Sequence, residues 1–173
     1  MTRAMNAAGV AALALCAASA GHAAPAPKIM TEITRDDAKS LLAEGGARII
    51  DEIDGDTPLD EGWAVHAEAP DGLTVVWRGM NCKGPAGPQR ACTEYEIGVP
   101  LRTPSAAFAS ELANERNVLF LNDMAIDETY YLWRMGFTYG GVTRDHLKQV
   151  LAVTISMGFE AAEEIAERKT KKP

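Results

Sequence analysis

Apolar and polar side chains alternate along several stretches of this chain, and this two-residue period constrains the fold more than any other feature. The clearest case covers residues 129–139, where every second side chain is aromatic or methionine. A β-strand places such side chains on one face, and we expect this face to pack in the core. Its members are Tyr131, Trp133, Met135, Phe137 and Tyr139.

Shorter stretches with β-rich or alternating composition predict five earlier strands. Asp71-Gly72 between the second and third is a strong hairpin signal. The fourth places Tyr95, Ile97 and Val99 on one face. These strands cover residues 48–53, 62–69, 73–80, 92–101 and 117–124.

Capping residues and apolar periodicity predict three helices. Thr34 caps the first, over residues 35–44, and Thr103-Pro104 begins the second, which runs to residue 115. Thr143 caps a last helix of about 25 residues, with an apolar stripe at helical spacing. The order α-β-β-β-β-α-β-β-α predicts an α+β fold with an antiparallel sheet of about five to six strands. The stripe is Leu147, Val150, Leu151, Thr154, Gly158, Ala161 and Ile165.

The first residues have the pattern of a cleavable export signal. Arg3 precedes an uncharged apolar run at 7–20, and small residues predict cleavage between Ala23 and Ala24. The run is about 14 residues long, short of the roughly 20 needed to span a bilayer. We therefore expect a periplasmic or secreted protein with no stable membrane insertion.

The rest of the chain has the length of one domain. We expect a signal peptide at 1–23, a flexible lead-in at 24–30, a single domain at 31–168 and a basic tail at 169–173. The formal net charge is −7. Nucleic-acid binding needs a basic surface, so this charge argues against such a partner.

Cys82 and Cys92 are the only cysteines after the signal, and they flank a loop between two predicted strands. An oxidising compartment favours a disulfide between them over two free thiols. Their spacing does not match the Cys-x-x-Cys pattern of zinc and redox sites. The bond is interpreted as a structural crosslink.

No catalytic, metal or cofactor constellation is visible. His66 and His146 lie far apart with no Cys or His beside them. An acidic stretch lacks the Gly and Glu that a calcium loop needs, so we interpret it as a solvated turn. We expect no catalytic residues, no metal and no cofactor, and we expect a protein that is not an enzyme. The stretch comprises Asp51, Glu52, Asp54, Asp56, Asp60 and Glu61.

Aromatic residues give two alternatives. Their alternation is typical of a core between a sheet and helices, but aromatic side chains also line grooves for peptides or small ligands. If a binding surface exists, our candidates are Trp63, Trp77, Tyr131 and Trp133.

Residues 31–166 resemble the YbjN family, whose members are labelled bacterial sensory transduction regulators. The resemblance rests on Gly79-Met80-Asn81-Cys82, the stretch from Phe108 to Leu121 and Gly140-Gly141-Val142-Thr143. Its most specific part is Leu119-Phe120-Leu121-Asn122-Asp123, which leads through the aromatic strand into the last of these segments. Ala113 stands where the family often has an aromatic residue. The resemblance implies a fold similar to type III secretion chaperones, with no established catalytic residues.

We therefore expect a binding or regulatory module that captures a protein partner, a second copy included. The alternative is a periplasmic sensor of a small apolar ligand. A closed apolar cavity beneath the sheet would favour the sensor, and a flat exposed apolar patch would favour the protein-binding module.

Overall fold

The computed structural model describes residues 27–55, 62–103, 105–116, 121–126 and 129–170. They form an α+β fold with an antiparallel sheet and three helices, in the predicted order. The helices are α1 (Arg35–Glu44), α2 (Ala106–Arg116) and α3 (Arg144–Thr170). The strands are β1 (Ile29–Met30), β2 (Ile33–Thr34), β3 (Arg48–Asp54), β4 (Trp63–Glu68), β5 (Thr74–Lys83), β6 (Ala91–Arg102), β7 (Leu121–Ile126), β8 (Thr129–Phe137) and β9 (Val142–Thr143).

Six strands form the sheet in the order β3-β4-β5-β6-β8-β7, and β2 pairs with the start of β6. All pairings are antiparallel. The predicted Asp71-Gly72 turn joins β4 to β5, with Gly72 at a left-handed φ of 86°. The pairing places β6 at the centre of the sheet, between β5 and β8.

One face of this sheet, which we call the inner face, carries the hydrophobic core. Trp63 and Val65 of β4, Trp77 of β5 and Ile97 of β6 are all buried there. Helices α1 and α3 cover it, and the last helix lies so close to β6 that a Cβ on Gly158 would meet Val99 at 2.8 Å. The core thus lies between the sheet and its helices.

Helix α1 begins as predicted, because Thr34 and Asp37 form a reciprocal capping box. Arg35, in the first turn, is a nearly buried cation that the sequence did not reveal. Its guanidinium lies 2.8 Å from the carboxylate of Asp54 and also pairs with Glu52, both on β3. This part of the acidic stretch therefore holds α1 against the sheet edge and is not the predicted solvated turn.

Helix α2 begins later than predicted. Ser105, and not Thr103, caps it, because the Ser105 hydroxyl accepts a hydrogen bond of 3.2 Å from the backbone N–H of Phe108. Thr103 is buried and donates to the Ser105 carbonyl oxygen. The Thr103 side chain, which was predicted to cap the helix, thus hydrogen-bonds to a backbone carbonyl oxygen just before the helix begins.

Helix α3 agrees closely with its prediction. The Thr143 hydroxyl accepts a hydrogen bond from the backbone N–H of His146, and six of the seven stripe residues are buried. The seventh, Val150, is partly buried against the core. The helix continues to Thr170, so it includes the first two residues of the predicted tail.

Two segment boundaries differ from expectation. Ile29–Met30 pairs with Val142–Thr143, so the predicted flexible lead-in already contains an ordered strand. The strand predicted at 117–124 is observed at Leu121–Ile126, and residues 117–120 lie outside the described part of the chain. The predicted signal peptide and its cleavage site at Ala23 and Ala24 also lie outside it.

The largest correction concerns β8. Tyr130 and Leu132 are buried, and Arg134 on the same face of this strand lies 3.7 Å from the sulfur of Met157 on α3. The alternating set from Tyr131 to Phe137 therefore lies on the opposite face of the sheet, which we call the outer face. That set was predicted to form part of the core.

Candidate binding surface

An exposed apolar strip runs along the end of β8 on the outer face. Met135, Phe137 and Tyr139 are 52%, 54% and 60% exposed. The rings of Phe137 and Tyr139 stack with centroids 6.0 Å apart and planes at 17°. We call these three residues the outer strip. Met135 and Phe137 belong to β8, and Tyr139 follows two residues after the end of the strand.

Two stacked aromatic side chains lie on the same face nearer the start of β8 and are less exposed than the outer strip. Tyr131 stacks on Trp133 with ring centroids 4.9 Å apart, and the guanidinium of Arg78 lies 5.1 Å from the Trp133 ring centre. Trp133 lies flat across Gly98 of β6, where a Cβ would come within 2.3 Å of the ring. Glycine at this position lets the ring lie against the sheet, so Trp133 is only 4% exposed.

Carboxylates border the outer strip on its β6 side. Glu96 is directly opposite Met135, and Glu94 is directly opposite Phe137. Burial raises the pKa of Glu96, and the charge of Arg78 opposes this shift. The outer strip therefore lies beside two carboxylates of β6.

Tyr139 is held in place by polar side chains of the β5–β6 hairpin. Its hydroxyl accepts hydrogen bonds from Asn81 Nδ2 at 2.7 Å and from Thr93 Oγ1 at 3.2 Å, and it lies 3.4 Å from a Glu94 carboxylate oxygen. Asn81 has a left-handed φ of 51°, which asparagine tolerates better than most residues. The outer strip is thus anchored at one end, which reduces the entropy lost on binding.

The predicted disulfide between Cys82 and Cys92 is present. Both cysteines lie within strands and not in the loop, because β5 extends to Lys83 and β6 begins at Ala91. The bond joins directly opposite positions, next to the Asn81 and Thr93 that hold Tyr139. A disulfide is the expected state in an oxidising compartment, so it fits an exported protein.

The four aromatic candidates fall on different faces. Tyr131 and Trp133 lie on the outer face, where their rings stack on each other. Trp63 and Trp77 are buried among core residues of the inner face, which corrects their assignment to a binding surface. Neither can contact a partner while the domain is folded.

Among the residues that the structure describes, the histidines and acidic side chains are not gathered into a metal site. His66 is on β4 opposite Val76, and His146 is exposed in the first turn of α3. Asp56, Asp60 and Glu61 of the acidic stretch lie outside the described residues, and Asp51 is exposed. Within residues 27–55, 62–103, 105–116, 121–126 and 129–170, no three His, Cys, Asp or Glu side chains are placed to hold a metal ion.

Comparison with known proteins does not extend these observations. No family model matches this chain, and neither a curated protein nor a solved structure matches it significantly. None of the helices in the described residues is long and apolar enough to cross a membrane.

The sequence did not identify three residues that belong to this surface. Arg78, Glu96 and Gly98 lie on neighbouring strands, and their proximity depends on the pairing of β5, β6 and β8. Alternation within β5 and β6 indicated only that Arg78 and Glu96 share a face with other residues of their own strands. Their relation to the aromatic strand required the strand order.

Proposed function

We propose that this protein is an exported, non-enzymatic module that captures a protein partner through the outer strip. The single observation that carries the proposal is the exposure of Met135, Phe137 and Tyr139 on the face opposite the helices. Exposed aromatic and methionine side chains that are contiguous on one face are typical of interaction sites. Export follows from the predicted signal, and the disulfide supports it.

An exposed apolar patch favours a protein partner, whereas the sensor alternative calls for a closed apolar cavity beneath the sheet. In the described residues, the β5–β6 loop forms a cavity of about 210 Å³ that is lined by residues 83–90, outside the core. The resemblance to the YbjN family remains part of the proposal, and it is compatible with the observed α+β order of helices and strands.

Photo-crosslinking at two phenylalanines tests the proposal. We would replace Phe137 or Phe159 with a photoreactive phenylalanine analogue in the producing cell. Phe159 is a matched control, because it is also exposed but lies on α3, in the layer that covers the inner face. We expect discrete crosslinked products from position 137 and none of comparable yield from position 159.

A second variant separates binding from folding. Phe137→Ser is expected to abolish the crosslink of an analogue placed at Met135 while the melting temperature stays within a few degrees, since exposed positions contribute little stability. Equal crosslinking at positions 137 and 159, or a strip variant that retains the product, would contradict the proposed function.

A further inference from the structure

The carboxylate of Glu96 makes no close ion pair: burial raises its pKa, although Arg78 lies directly opposite it and the charge of Arg78 lowers this pKa. Among the residues that the structure describes, no hydrogen bond or ion pair engages it. Arg78, directly opposite on β5, places its guanidinium over the Trp133 ring. Glu96 is about half buried next to Met135, where a negative charge without a close counter-ion is unfavourable.

Two carboxylates lie beside the outer strip on β6, and Arg78 is the cation of the neighbouring strand β5 on the same face. Glu94 and Glu96 follow each other on the outer face of β6 and face Phe137 and Met135. The formal net charge of the chain, −7, has the same sign as these carboxylates. A segment that covers the strip with apolar side chains therefore brings its neighbouring side chains next to carboxylates.

We propose that the outer strip binds a peptide segment rich in apolar side chains and in lysine or arginine. The apolar side chains contact Met135, Phe137 and Tyr139, and a cation of the partner pairs with Glu96. This inference rests on the proposed function, because it names the chemistry of the partner at the same surface. A cation of the partner that pairs with the half-buried carboxylate offsets the unfavourable burial of its charge, and this pairing contributes to the binding free energy.

A second copy of this chain fits the strip less well. Two strips packed against each other bring Glu94 and Glu96 of both copies to one interface, and like charges at a protein interface are repulsive. Self-association through the outer strip is therefore an outcome that opposes the inference.

Three synthetic peptides of equal length test the inference with the full chain in its oxidised form. Each combines leucine with a second residue, which is lysine in the first, serine in the second and glutamate in the third. We expect affinity to fall in that order, and Glu96→Gln to weaken binding of the lysine peptide by about fivefold, with little change for the serine peptide. Raising the salt concentration should reduce the advantage of the lysine peptide.

Glu163→Gln is the matched control, since it removes the same charge from an exposed position on α3. It should leave all three affinities unchanged, whereas an effect equal to that of Glu96→Gln would overturn the inference by showing that only net charge matters. Strip-dependent binding with no preference for lysine would overturn the inference and leave the proposed function standing. If Phe137→Ser alters none of the affinities, or if sedimentation shows a dimer that this variant dissociates, the partner is not this peptide class.

Discussion

The inner face of this sheet buries its aromatic side chains, whereas the outer face exposes two aromatic side chains beside the buried Trp133. On the inner face, Trp77 is fully buried and tilts against Tyr95 with ring centroids 6.1 Å apart. On the outer face, Phe137 stacks on Tyr139 with more than half of each side chain exposed. The difference is that the helices cover only the inner face.

An aromatic side chain thus has a different role according to the layer above it. When its apolar surface is buried between the sheet and a helix, the folded state is stabilised by about 25 cal/mol per Å². Most of the surface of the outer strip is in contact with water, and a partner that buries this surface would gain the same kind of stabilisation. Inner-face substitutions should therefore impair folding, and outer-strip substitutions should impair binding.

The largest effect that we predict separates the two faces. Trp77→Ala should lower the free energy of unfolding by about 3–5 kcal/mol, because it removes a fully buried ring and leaves a cavity. Phe137→Ala should lower it by about 0.5 kcal/mol or less. Urea denaturation followed by tryptophan fluorescence and circular dichroism measures both. Equal losses would show that the outer strip is part of the core.

The next largest effect is that of the disulfide, which is close to both the core and the outer strip. Cys92 is buried in the core, whereas the adjacent Thr93 holds Tyr139 of the outer strip. Cys82→Ala with Cys92→Ala should lower the free energy of unfolding by about 3 kcal/mol, mainly by releasing the unfolded chain from a closed loop. Reduction of the native protein provides the control. A folded variant of unchanged stability would show that β5 and β6 are held by their other contacts alone.

Elements defined by local interactions could be predicted from the sequence. The capping box of Thr34 and Asp37 and the cap at Thr143 each involve residues three positions apart, so the sequence contains both partners. The stripe of α3 follows from the helical period in the same way. The caps, the helix period and the alternation of the strands account for the confirmed α+β order.

The core face of β8 could not be predicted, because alternation shows which residues share a face but not which face is buried. The inner side of this strand looks less apolar, because it carries Arg134 and Gly136 and is followed by Thr138. Gly136 is required there because the Tyr95 ring lies across it, and a Cβ would approach the ring to 2.2 Å. Thr138 is fully buried because its hydroxyl donates to backbone carbonyl oxygens of Thr31 and Thr93. Both reasons depend on distant residues.

Two carboxylates give the smallest effects, with opposite signs. Glu44 lies in the helical layer, where Lys148 and then Arg144 of α3 lower its pKa from 4.5 to about 2. Because the folded-state pKa is depressed, its contribution to stability is present above pH 4.5 and is lost as the pH falls toward 2. Glu96 on the outer face has a raised pKa, since burial outweighs the charge of Arg78. Its ionisation therefore destabilises the fold as the pH rises above 4.5 through the folded-state value.

Denaturation curves across this pH range compare the two carboxylates directly. Glu44→Gln should reduce stability near neutral pH, with a difference from the native protein that disappears as the pH approaches the lowered pKa of Glu44. Glu96→Gln should raise stability slightly near neutral pH, and this gain should shrink as the pH falls through the raised pKa and the native carboxyl group becomes protonated. Solvent screening keeps both effects well below that of the disulfide. A loss of stability in Glu96→Gln at neutral pH would mean that the carboxylate already has a favourable partner in the free protein, and the outer face would then offer no unpaired charge to a basic segment.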